Sequence, residues 1–123
     1  MSKRILIVDD EPFVVETLKF SLEQAGFECL AAYDGSEAIE AVRREEPDLV
    51  LLDIILPKID GLRVCRLIKL DERYRHVPVI LMSSRVQEKE WSTAREGGAE
   101  DFLVKPFKMQ ELMGMIHRHL KEE

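Results

Sequence analysis

Asp9, Asp10, Asp53, Ser83 and Lys105 are scattered over a chain of 123 residues, yet all stand directly after short apolar runs. The runs, at 5–8, 49–52, 79–82 and 102–104, are rich in Val, Ile and Leu, as strands buried on both faces are. Side by side in a parallel sheet, such strands end along one edge, so three carboxylates, a hydroxyl and an ammonium are expected to meet in one crevice. Carboxylates that close repel one another and need a compensating cation. Carboxylate and carbonyl oxygens, with water, suit a hard ion, and Mg²⁺ typically uses few protein ligands plus a phosphate. Asp53 emerges from a buried strand, a setting that suits a nucleophile. A carboxylate that attacks phosphorus forms an acyl phosphate, helped by a metal, a cationic side chain and a hydroxyl. Mg²⁺, Lys105 and Ser83 would supply all three. Singly, each residue has a plainer account: Asp10 as a turn or helix cap, Lys105 as a solvated lysine, Ser83 as a strand-ending hydroxyl. Their joint placement is what argues for a site.

Strand-like runs alternate with amphipathic stretches five times, which predicts βα units, a parallel sheet and right-handed crossovers within one domain spanning 1–123. The first helix is expected over 12–25, opened by Pro12 and stopped by Gly26. A second strand follows at 28–32, then a turn at 34–36 with Ser36 as the expected cap of a helix through Arg44, which Pro47 bars from continuing. A third helix is expected at 61–70, and a fourth, polar and weakly held, at 86–98. In the last helix Met109, Leu112, Met113, Ile116 and Leu120 recur at core-facing spacing.

The composition is globular, with 46% apolar and 34% charged residues, and the net charge of −6 argues against a nucleic-acid or anionic-membrane surface. No apolar stretch approaches membrane-spanning length, and the opening Met-Ser-Lys-Arg runs straight into a strand without signal-peptide architecture, so a cytoplasmic location is expected. Cys29 and Cys65 lack CxxC spacing and read as packed thiols. His117 and His119 point in different directions on a helix, and His76 falls in a polar connection. None of the three histidines is assigned a role. Trp91 is expected to be partial core of the fourth helix.

The segments ILIVDDEP, LVLLDIILPKIDG, PVILMSS and GGAEDFLVKPF together resemble the receiver domain of the two-component response regulator family, and the likeness covers essentially the whole chain. The resemblance implies a flavodoxin-like, doubly wound α/β fold with five parallel strands in the order 2-1-3-4-5, an order the chemotaxis member of this family exemplifies. It implies that Asp53 is the phosphoacceptor, that Asp9, Asp10, Asp53 and the backbone carbonyl of Ile55 hold Mg²⁺, and that Ser83 and Lys105 contact the phosphoryl group. Ser83 stands where Thr is frequent and Phe102 where Tyr is frequent; the hydroxyl and the swinging ring are kept, and only the tyrosine hydroxyl is lost. The same resemblance implies a cis Lys105-Pro106 bond, and places Ile55 and Arg85 beside the path of attacking water. With Ile55 apolar, slow autodephosphorylation is expected. The implied partners are a sensor histidine kinase or histidine phosphotransfer protein and a downstream output domain or target protein, with a phosphorylation-dependent dimer as one form of output. The implied activity is that of a switch acting on itself, through Ser83 and Phe102, and not of an enzyme turning over free substrates.

Two other functions are weaker. A Mg²⁺-dependent phosphohydrolase lacks loops long enough for a lid and a DxD-type nucleophile motif. A flavodoxin-like cofactor binder would need a Gly/Ser/Thr-rich loop after the first strand, where this chain has Asp9-Asp10-Glu11. On the first helix, spacing at 100° per residue puts Val14, Leu18, Leu22 and Ala25 on one stripe, with Phe13 and Phe20 nearly opposite and solvent-facing. Those two rings, with Val15 at the margin, are expected to form part of the surface that docks the kinase.

Overall fold

The computed structural model describes residues 2–84 and 88–120. Arg85, the expected start of the fourth helix at Val86 and the charged run 121–123 lie outside the described residues. Five strands, β1 (Arg4–Val8), β2 (Glu28–Ala32), β3 (Leu49–Asp53), β4 (Val79–Ser83) and β5 (Asp101–Val104), alternate with α1 (Pro12–Gln24), α2 (Gly35–Glu45), α3 (Gly61–Leu70), α4 (Glu88–Glu96) and α5 (Met109–Leu120). All ladders are parallel, and the order is β2-β1-β3-β4-β5, the flavodoxin-like arrangement expected above.

The central strands are apolar between their ends because both sheet faces are covered. Side chains alternate between faces, and the core divides accordingly. Ile5, Ile7, Leu49, Leu51, Ile80, Met82 and Leu103 pack with Val15, Leu18 and Leu22 of α1 and Leu112 and Ile116 of α5. Leu6, Val8, Val50, Leu52, Val79 and Leu81 pack with α2, α3 and α4 through residues such as Val42, Val64, Ile68 and Ala94. Met109, Met113 and Leu120 lie against the first of these layers, as the spacing on α5 predicts. Cys29 and Cys65 are buried free thiols, each pushed up to about 11 by burial.

Local signals explain most boundaries. Pro12 opens α1, and Gly26 at φ 97° follows its end. Asp60 caps α3 by accepting from the Arg63 amide at 3.1 Å. Two expectations are corrected. The cap of α2 is Asp34 and not Ser36: its Oδ1 accepts from the Glu37 amide at 2.8 Å, while Glu37 Oε1 accepts from the Tyr33 amide at 2.9 Å. An acid followed three residues later by Glu is a variant of the capping box, visible in the sequence.

On α1 the buried stripe is Val15, Leu18 and Leu22, with Val14 only partly buried and Ala25 exposed beyond the last turn. Val15 is therefore core and no part of a docking margin. Spacings of three and four residues fit both Val14 and Val15 to the Leu18–Leu22 stripe, and the packing against β1 chooses Val15. Phe13 and Phe20 do face solvent, 81% and 66% exposed. No helix among the described residues is long and apolar enough to cross a membrane.

Candidate functional site

Register assembles the site. Val8 pairs with Leu52, Leu52 with Leu81, and Leu81 with Phe102, so the residues just beyond these positions, Asp9, Asp53, Met82 and Leu103, run level across four strands. Asp53 is the last residue of β3 and Ser83 the last of β4, while Asp9 and Lys105 stand one residue past β1 and β5. Asp9, Asp53, Ser83 and Lys105, with Asp10 next to Asp9, thus lie on this one edge.

Asp9 is fully buried, and Asp53 is 8% exposed. The Lys105 ammonium joins them, donating to Asp9 Oδ2 at 2.6 Å and to Asp53 Oδ2 at 2.8 Å. The other oxygen of each carboxylate accepts from a backbone amide two residues on: Glu11 to Asp9 Oδ1 and Ile55 to Asp53 Oδ1, both at 3.0 Å. Asp10 is exposed, yet it offers a carboxylate oxygen to the same cluster; ligand atoms of Asp9, Asp10 and Asp53 all lie within 4.8 Å of one another. Three carboxylates against one ammonium leave the corner short of positive charge, and an all-oxygen donor set fits Mg²⁺. Ser83 is buried, and its carbonyl accepts from the Lys105 amide at 2.8 Å, so β4 anchors the backbone that carries the lysine. The Lys105-Pro106 bond is cis, as expected.

Burial pushes Asp53 up from the ordinary carboxylate value; hydrogen bonds from Lys105 and the Ile55 amide oppose the shift, and the Asp9 charge adds to it. Burial also works against the charge of Lys105, but its bonds to Asp53 and Asp9 prevail and hold it above the ordinary lysine value. Burial thus disfavours the charge on Asp53, whereas the two carboxylates favour the charge on Lys105.

The loop from Ile54 to Asp60 connects β3 to α3. The Ile55 side chain stands out from it, 62% exposed. Gly61 fixes the far end of the loop: its amide donates to the Ile54 carbonyl at 2.7 Å, and a Cβ there would lie 2.1 Å from the Asp53 carbonyl oxygen. Sequence reading treated Gly61 only as a helix start. The short interval from Asp53 to the helix was the available signal that the backbones must approach closely.

Phe102 on β5 is partly buried, and its ring meets Trp91 of α4 edge-on at 5.3 Å. Trp91 packs partly against the core, as expected, and carries the Arg95 guanidinium over its ring, 5.0 Å from the centroid. His119, given no role from sequence, lies 2.9 Å from Asp101 Oδ2, which accepts from Arg118 at 3.0 Å. These contacts tie the end of α5 to the start of β5.

The sequence profile of the response regulator receiver domain matches residues 5–117. Among similar solved structures, a putative response regulator from Chloroflexus aurantiacus J-10-fl is 31% identical, with 99% of this chain and 100% of that one aligned at a TM-score of 0.93. The BeF3-activated N-terminal receiver domain of Klebsiella pneumoniae RstA is 30% identical, covering 98% and 100% at 0.90. The receiver domain of the sensor histidine kinase PA1611 from Pseudomonas aeruginosa PAO1, with a magnesium ion coordinated in its active-site cleft, is 29% identical, covering 99% and 100% at 0.90.

Proposed function

Because the chain belongs to the response regulator receiver domain family of two-component systems, we propose that it is a phosphorylation switch in which Asp53 accepts a phosphoryl group from a phosphohistidine. The donor is a sensor histidine kinase or a histidine phosphotransfer protein. The observation that carries this reading is the Lys105 ammonium bonded to both Asp9 and Asp53, at one corner with Asp10. Asp9, Asp10, Asp53 and the Ile55 carbonyl would hold Mg²⁺, which supplies charge neutralisation for the phosphoryl oxygens. The magnesium-bound relative supports that assignment.

An Asp53 carboxylate oxygen attacks phosphorus as the N–P bond of the phosphohistidine breaks, and the electron pair returns to the imidazole, which takes up a proton. Lys105, already in contact with Asp53, follows the new phosphoryl oxygens, and the Ser83 hydroxyl donates to another of them. Hydrolysis of the acyl phosphate by water resets the carboxylate. The protein therefore acts on itself and turns over no free substrate.

The signal leaves through β4 and β5. Drawing Ser83 toward the phosphoryl group opens room into which the Phe102 ring turns, and the surface of α4, β5 and α5 is reshaped for an output domain, a target protein or a second phosphorylated copy. Trp91, the only tryptophan, reports this because it touches Phe102. Adding beryllofluoride with Mg²⁺ is expected to change Trp91 emission in the wild type and to leave Asp53→Asn unchanged. A wild-type spectrum indifferent to saturating beryllofluoride contradicts the switch.

A further inference from the structure

Of the six glycines, Gly35 and Gly61 alone press directly on backbone; Gly26 and Gly114 face open space, Gly97 makes ordinary contacts, and Gly98 meets only the flexible Lys69 side chain. Gly61 adjoins the phosphoacceptor strand. Gly35 belongs to another element, the first turn of α2, and its backbone has no positive φ that would call for glycine. Space is the reason for it. A Cβ on Gly35 would lie 2.0 Å from the Ile59 carbonyl oxygen and 2.8 Å from the Ile59 carbonyl carbon, contacts that no rotamer change relieves.

The Gly35 amide also donates to the Pro57 carbonyl at 3.3 Å, and the Ile59 amide donates to that same oxygen at 2.8 Å. The nearby Lys58–Asp34 ion pair, at 3.5 Å with Lys58 largely exposed, is worth little by comparison. The middle of the loop from Ile54 to Asp60 is thus seated on α2 by backbone contact at Gly35, as its end is seated on β3 at Gly61. Between the seats and Asp53 lies Ile55, whose amide holds Asp53 Oδ1.

We infer that Gly35, although outside the acidic corner, is a positioning residue for it: the missing side chain lets α2 seat the Pro57–Ile59 backbone and so holds Ile55 in register with Asp53. The inference rests on the reading of Asp53 and Ile55 as part of a Mg²⁺ site. Groups that only orient metal ligands commonly change affinity by tenfold or more. Coupling must also be reciprocal, so an ion that tightens the loop tightens its seat on α2.

Titrating Mg²⁺ into ¹⁵N-labelled wild-type protein is expected to shift the Gly35 and Ile55 amide resonances with one shared midpoint. Gly35→Ala is expected to bind Mg²⁺ about tenfold more weakly by calorimetry, while its phosphorylation by acetyl phosphate recovers at saturating Mg²⁺. Gly114→Ala, a helical glycine in open space, should bind as the wild type does. Urea unfolding in EDTA separates a loss of stability from a loss of affinity. A Gly35→Ala protein that is less stable but binds Mg²⁺ like the wild type overturns the inference, and so does a wild-type Gly35 amide unmoved at saturating Mg²⁺. That wild-type arm decides the matter even where the variant fails to fold. Wild-type protein that binds no Mg²⁺ overturns the reading of the site itself, and this inference with it.

Discussion

Asp53 and Lys105 carry opposite consequences for stability, and pH separates them. Asp53 has its folded-state value raised, mainly by burial. Its contribution to stability is therefore present below the ordinary aspartate value of about 3.9 and lost as pH rises through the raised value, so ionising Asp53 carries a cost in the metal-free protein. Lys105 is also raised, against burial, by its bonds to Asp53 and Asp9. Its contribution holds at neutral pH and is lost only as pH rises through its own raised value, above the ordinary lysine value of about 10.4. In EDTA at pH 7, Asp53→Asn is expected to raise the urea midpoint, with the gain vanishing below about pH 3.9. Lys105→Ala should lose about 3 kcal/mol, because it strands the buried Asp9 carboxylate; Mg²⁺ should recover much of that loss. A second expectation concerns Ile55, exposed at the mouth of the site and unable to hydrogen-bond water. Ile55→Asn is expected to speed loss of the acyl phosphate several-fold, followed by the decay of phosphoprotein after donor removal, and an unchanged decay would remove Ile55 from the account. The five polar strand-ending residues were legible because residue type and position after an apolar run carry the information. The contacts of Ile55 with Asp53 and of Gly35 with Pro57 are made by backbone amides, for which side-chain type gave no comparable signal.

At the scale of elements, α1 shows both the reach and the limit of periodicity. The stripe through Leu18 and Leu22 is plain in the sequence, and the exposure of Phe13 and Phe20 follows from it. The choice of Val15 over Val14 depends on where β1 lies against the helix, which spacing cannot state. A similar limit applies to His119, whose partner Asp101 is fixed by the packing of α5 on β5. The two exposed rings lie seven residues apart on one face of α1, and Phe13 is four residues from Asp9. As large apolar groups left in water on the face that begins near the acidic corner, they would suit docking of the helix that presents the phosphohistidine under the proposed function. Phe13→Ala and Phe20→Ala are expected to change stability by no more than about 0.5 kcal/mol. Each should slow phosphotransfer from the cognate kinase while leaving phosphorylation by acetyl phosphate intact. Equal loss with both donors would assign the rings to the site or the fold instead.

For the whole molecule, the order β2-β1-β3-β4-β5 does two things at once. It sets the ends of β1 and β3 side by side, so the carboxylates share one corner, and it sets β4 and β5 beyond them, which carry Ser83 and Phe102 and lead into Lys105. That plan was legible because buried parallel strands are nearly uniform in apolar character, while the polar residues stand out at their ends. The central claim is that the corner makes Asp53 a phosphoacceptor dependent on a divalent ion. Intact-mass measurement after incubation with acetyl phosphate and Mg²⁺ tests it most directly: one phosphoryl adduct is expected on the wild type, absent from Asp53→Asn and absent in EDTA. An undiminished adduct on Asp53→Asn, or one that forms equally well in EDTA, would contradict the account.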